Sequence, residues 1–158
     1  MRGSRLRVGA ALAAGAFAVT GLAFAPAAAA VPGSATATYD CGFWGGGGAT
    51  LTATQNGTAA TITVTSAMTT PVAVGADQIE ARLTLAKNGT GTTVFTGRKN
   101  PALAAGSAVT MGPLAGTVAS GDSLDSFFAG TALTLKIFGV TVNCDATSSQ
   151  SPGPFVFD

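Results

Sequence analysis

Ala49-Thr50-Leu51-Thr52-Ala53-Thr54-Gln55-Asn56-Gly57-Thr58-Ala59-Ala60-Thr61-Ile62-Thr63-Val64-Thr65-Ser66 carries the strongest kind of short-range hairpin signal, an Asn-Gly pair between two alternating runs. Apolar and hydroxyl side chains alternate along both halves. Leu51 and Ala53 oppose Thr50, Thr52 and Thr54; Ala60, Ile62 and Val64 oppose Thr61, Thr63 and Thr65. A period of two marks strands with one buried face, because successive side chains leave a strand on opposite sides. Asn56-Gly57 separates the halves, and both residue types tolerate the positive φ of a tight hairpin. The stretch predicts two antiparallel strands with their threonines outward.

The same pattern continues on both sides. Thr36, Thr38 and Tyr39 lead into Cys41 as a short opening strand, and the glycines of 45–48 are expected to form a flexible break. Downstream, Ile79, Ala81, Leu83 and Leu85 face one way and Glu80, Arg82 and Thr84 the other, before a second turn at Asn88-Gly89. Short strands follow at 92–96, around Val109 and Met111, and at 114–119. Residues 131–143 read as the clearest strand region of the chain, one long strand that Gly139 bends or bulges. Pro152-Gly153-Pro154 precedes a last short strand at 155–157, a candidate exposed edge for strand addition. Threonine and valine favour strand throughout. Strands recurring about every ten residues with turns between them are the pattern of a sandwich or barrel.

Residues 1–30 have a different composition. Arg2, Arg5 and Arg7 precede an uncharged stretch over 8–24, then Pro26 and the alanines of 27–30. Basic, apolar and small-residue regions in that order predict a secretory signal peptide, cleaved after Ala30, with 31–158 as a single domain. The stretch is rich in alanine and glycine and no stop-transfer charges follow, so no membrane span is expected after cleavage. Beyond residue 30, Arg82, Lys87, Arg98, Lys99 and Lys136 stand against Asp40, Asp77, Glu80, Asp122, Asp125, Asp145 and Asp158. That near-neutral balance carries no basic face for nucleic acid. The two cysteines, Cys41 and Cys144, are expected to pair in the oxidising setting of an exported chain.

Tyr39-Asp40-Cys41 near the start and Gly139-Val140-Thr141-Val142-Asn143-Cys144 near the end frame a Thr-, Ala- and Gly-rich region that includes Ala119-Ser120-Gly121. This layout resembles small secreted immunoglobulin-like domains of unknown function from high-GC Gram-positive bacteria. The resemblance implies an all-β fold, an immunoglobulin-like antiparallel β-sandwich closed by one disulfide, and an extracellular or cell-surface location. It implies no activity. The composition is also similar to that of the chromophore-carrying apoproteins related to neocarzinostatin, which have two disulfides where this chain has one cysteine pair.

The chain contains no histidine, which removes Ser-His-Asp and Cys-His catalysis and every His-containing zinc site. Carboxylate chemistry would need Asp77 with Glu80, or Asp122 with Asp125. Those residues read better as turn and outward-strand positions, so no catalytic residue, metal or cofactor is expected. Weak calcium binding at Asp122 and Asp125 lacks a ligand-rich loop. The glycines of 45–48 lack the Lys-Ser/Thr of a phosphate loop. Asn56-Gly57-Thr58 and Asn88-Gly89-Thr90 match a glycosylation pattern but read as hairpin turns. Phe43 and Trp44 beside the glycines are candidate ligand contacts; core packing of Trp44 against the disulfide is the favoured alternative. Phe127, Phe128, Phe155 and Phe157 read as core or cleft lining. The function expected is a secreted non-enzymatic module, structural or binding an unknown protein or cell-surface partner. A carrier of a small apolar or carbohydrate ligand is the second reading, and it requires a cleft lined by Trp44.

Overall fold

Alternation along the chain becomes ten strands in the computed structural model, which describes residues 29–158. All but the last two residues of the predicted signal peptide lie outside the described residues. The strands are β1 (Ser34–Asp40), β2 (Gly46–Asn56), β3 (Ala59–Thr69), β4 (Glu80–Lys87), β5 (Gly91–Arg98), β6 (Ala108–Thr117), β7 (Ser123–Ser126), β8 (Thr131–Ile137), β9 (Val140–Ala146) and β10 (Phe155–Val156). Leu51, Ile62, Val64, Leu83, Leu85 and Phe95 are fully buried, and the threonines between them face outward, as their period of two requires.

The strands close into an eight-strand antiparallel barrel in the order β4-β5-β6-β3-β2-β1-β9-β8, with β8 returning to β4. The expected immunoglobulin-like sandwich is therefore incorrect. A sandwich leaves edge strands on two separate sheets. Here β8 pairs with β4 from Glu80↔Lys136 to Leu83↔Leu133, and β9 pairs with β1 at Tyr39↔Ala146 and Asp40↔Asp145. These seams leave the ring without an edge. Alternation alone says which side chains face inward and is common to both architectures.

Two further strands complete the wall. β7 pairs with the end of β4 that β8 does not reach, at Leu85↔Ser126 to Lys87↔Leu124, and β10 pairs with β7. Val156 also bridges to Val31, so the last strand is bonded on both sides and offers no edge for strand addition. Register shifts between Ile62 and Val64 and between Thr65 and Thr69 bend β3 against β6. Such bulges supply the curvature that closure needs.

Three local expectations change. The predicted flexible glycines belong to β2, where Gly46, Gly47 and Gly48 pair with Asp40, Tyr39 and Thr38. At Gly46 a Cβ would lie 2.4 Å from the Tyr39 carbonyl oxygen, a close approach that only glycine allows. The first hairpin turns on Gly57 and Thr58, since Asn56 still pairs with Ala59. The long strand expected over 131–143 is a hairpin, with Ile137 paired to Val140 across a two-residue turn at Phe138-Gly139.

The two ends of the barrel differ. At one, Leu124, Phe155 and Phe157 plug the interior, and Gln55 clamps the chain end. Its Oε1 accepts from the Asp158 N–H at 3.1 Å and its Nε2 donates to the Asp158 and Gly57 carbonyls. The opposite end is bordered by the 3-10 turn Gly42–Trp44, the β3–β4 and β5–β6 connections and the Phe138-Gly139 turn. It remains open. We call these the sealed end and the mouth.

Candidate functional site

The mouth opens into a cavity of about 250 Å³. Met68, Val74, Val109, Leu135, Ile137 and Val142 line its interior. The bulge in β3 carries Met68, whose N–H donates to Ser66 Oγ at 3.0 Å, and bulges at barrel rims commonly redirect a side chain in this way. Trp44, Val72, Phe138 and Val140 form the exposed rim. The only polar side chains are Thr69 and Thr70, and the Thr70 hydroxyl already donates to the Ala104 carbonyl at 2.9 Å. The lining offers apolar contact and almost no directional hydrogen bonding.

Trp44 is 50% exposed and Phe43 is 96% exposed, so neither packs into the core. Their rings meet edge to face at 5.7 Å. The turn that carries them is tied down: Gly42 N–H donates to Asp40 Oδ1 at 2.9 Å, and Cys41 N–H donates to the Gly45 carbonyl at 2.7 Å. Cys41 precedes this turn and is bonded to Cys144 on β9, both buried. The β1–β9 register, continued by one position, sets these cysteines opposite each other with their Cα atoms 4.0 Å apart. The predicted disulfide thus extends a seam of only two ladder pairs and anchors the turn bearing Phe43 and Trp44.

Phe138 was not singled out from sequence, yet it reaches the rim on a turn it fits poorly. Phe138 has φ +52° and Gly139 +79°, the two positive values of a type I′ hairpin. Glycine or asparagine tolerates this conformation; a phenylalanine there costs about 1–2 kcal/mol. The signal available in the sequence was a glycine inside an otherwise alternating run, a feature shared by bulges and turns.

The carboxylates weighed for catalysis have structural partners. Asp122 is buried, which raises its carboxyl pKa. The Lys87 ammonium at 2.8 Å, the Ala119 N–H at 2.8 Å and the Asn88 amide at 3.3 Å outweigh burial and hold it below the ordinary value. Asp125 Oδ1 accepts the N–H groups of Ser126 and Gln150. Asp77 and Glu80 form loose exposed pairs with Lys99 and Lys136, each at 3.7 Å. Phe155 and Phe157 belong to the core, Phe127 packs half-buried against it and Phe128 is exposed. Tyr39 is buried beside Asp125; burial first, and then the carboxylate's charge, push its phenol up to about 12. Its hydroxyl has no hydrogen-bond partner among the described residues, and the same holds for the buried polar side-chain atoms of Ser126 and Gln150.

Fold and site together define a closed β-barrel with a plugged end and an apolar cavity at the other. No protein-family model matches the chain, and the searches of curated proteins and of solved structures found no match. Among the described residues no helix is long and apolar enough to cross a membrane, and no group of three or more histidine, cysteine, aspartate or glutamate side chains is placed to hold a metal ion.

Proposed function

We propose that this protein is a secreted, non-enzymatic binding module that takes a small apolar ligand into the mouth of its barrel. The observation that carries the reading is the open cavity of about 250 Å³ lined almost wholly by aliphatic and aromatic side chains. Small barrels have interiors suited to one small ligand, and apolar protein cavities of about 150 Å³ stay dry and bind benzene. A cavity of this size therefore suits a medium-length acyl chain or a fused pair of rings. The carbohydrate alternative is not supported, because a sugar's hydroxyls would lose water without gaining partners. Secretion is supported by the order of charge and hydropathy in residues 1–30 and by the disulfide.

Trp44 is the only tryptophan, so its fluorescence has a single source. Titration with monomeric decanoate is expected to shift that emission to the blue with saturation, and maltose is expected to leave it unchanged. The variant Val109→Phe, which fills the cavity, is expected to lose the response while keeping the cooperative unfolding of the parent. No decanoate response, or an equal one in Val109→Phe, would overturn the reading.

A further inference from the structure

Phe43, Trp44, Val72, Phe138 and Val140 are exposed together around the mouth. They come from three segments far apart in sequence: the turn after β1, the β3–β4 connection and the β8–β9 hairpin. None is charged. Phe138 is 64% exposed on a left-handed residue, so the fold gains little from the ring and bears the cost of its backbone. A strained, exposed aromatic on the rim of a cavity is a feature that stability does not explain.

We propose that this crown inserts into the interfacial layer of a lipid bilayer, with the mouth facing the hydrocarbon. Three observations select a fluid apolar phase as the occupant. The crown is continuous with the cavity lining, so hydrocarbon outside and inside the mouth would meet without a polar barrier. The three rings stand on two separate loops, Phe43 and Trp44 on one and Phe138 on the other, and Phe43 at 96% exposure touches little besides Trp44. A rigid partner would need a matching recess for each ring, whereas a bilayer moulds around them. The charges behind the crown leave no net positive face: Lys99 and Lys136 meet Asp77 and Glu80, and Arg98 at the end of β5 is offset by Asp40 at the end of β1 and Asp145 opposite it, none of these three in an ion pair among the described residues. The mouth thus meets zwitterionic headgroups without repulsion. Aromatic side chains settle at that depth in membrane proteins. The docking itself does not depend on the proposed ligand site; only the further step, passage of an acyl chain from bilayer to cavity, rests on it.

The test is flotation of the full mature protein with phosphatidylcholine vesicles, for the parent, Phe43→Ser, Phe138→Asn and Val109→Phe. The parent is expected to float equally at low and high salt, since no net charge drives the contact. Each phenylalanine replacement is expected to weaken partitioning about ten- to a hundred-fold, the value of burying one such ring. Phe138→Asn relieves the left-handed backbone, so its thermal midpoint should not fall and lost flotation cannot be ascribed to unfolding. A parent that stays in solution would overturn the proposal, as would flotation confined to anionic vesicles at low salt. A dimer in sedimentation velocity that Phe138→Asn dissociates would assign the crown to a second copy of the chain and also overturn it. Val109→Phe separates the two readings: it should float while losing decanoate. Flotation of a parent that takes up no decanoate would sink the ligand site alone, and decanoate uptake without flotation would sink the docking alone.

Discussion

The turns at Asn88-Gly89 and Phe138-Gly139 have nearly the same pair of left-handed φ angles, +51° and +74° against +52° and +79°. They lie at opposite ends of the barrel. At the sealed end Asn88 suits its conformation and also works as a bracket. Its Oδ1 accepts the Ser123 N–H at 2.8 Å, its own N–H donates to the Ser123 carbonyl at 2.9 Å, and its amide donates to buried Asp122. At the mouth the equivalent position holds a phenylalanine that is strained and exposed. Asn88 at the sealed end agrees with the fold both in turn propensity and in hydrogen bonding. Phe138 at the mouth departs from it, and such departures concentrate where function constrains the sequence.

That contrast predicts a graded series of effects. The largest belongs to the disulfide, the covalent tie of the mouth. It closes a sequence separation of 103 residues. Replacing Cys41 and Cys144 by alanine should lower unfolding free energy by about 4–5 kcal/mol at most, measured by denaturant titration. Because the seam beneath has only two ladder pairs, the turn bearing Phe43 and Trp44 should loosen first, seen as faster quenching of Trp44 fluorescence in the variant than in the parent. Equal quenching in both would mean that the sealed end and backbone bonds suffice to hold the mouth.

Next comes the polar knot at the sealed end. Asp122→Ala removes a charged acceptor from three donors and should cost about 2 kcal/mol. Because the native carboxyl lies below its ordinary value, its contribution is complete above the unfolded-state value of 3.8 and fades as pH falls through the lower folded value. Stability curves of the parent and Asp122→Ala should therefore converge in acid; parallel curves would show that the ion pair contributes nothing.

Exchanging the turn residues gives a smaller effect of opposite signs. Phe138→Asn should raise stability by about 1 kcal/mol, and Asn88→Phe should lower it by more, because it loses the Ser123 and Asp122 bonds as well as the tolerant backbone. If both changes destabilise, Phe138 packs at the rim more tightly than its exposure implies.

Tyr39 gives the smallest effect at neutral pH. It is the only tyrosine, so phenolate absorbance reports it alone. It should titrate at about 12 in the folded protein. A raised phenol value stabilises the fold below the unfolded value of about 10 and loses that contribution as pH rises through 12. Tyr39→Phe should be close to neutral at pH 7, since the hydroxyl has no partner to lose, and should resist alkali better than the parent. A normal titration near 10 would show that water reaches the ring.

Much of the barrel wall was legible in the chain. Leu51, Ile62, Val64, Leu83 and Leu85 were assigned inward by their alternation, and all are fully buried. The Asn88-Gly89 turn was readable because its residues match its backbone. Phe138-Gly139 was not, because phenylalanine carries the opposite propensity and only tertiary packing enforces the turn. Phe43 and Trp44 were picked out as an aromatic pair beside glycines. Their exposure was not predictable: whether a tryptophan near a disulfide packs inward depends on which face of the seam its turn rises from.

Sequence by itself determined the all-β character, the inward faces of the regular strands, the cysteine pair and the absence of histidine. These follow from side-chain type and near-neighbour spacing, which act over a few residues. Tertiary structure alone decided that the sheet closes, that β4 meets β8, and that Met68, Val109 and Leu135 surround one cavity. Those outcomes depend on pairings between segments some fifty residues apart. Their free energy comes from register, curvature and shared burial across the whole ring, quantities that no local pattern contains.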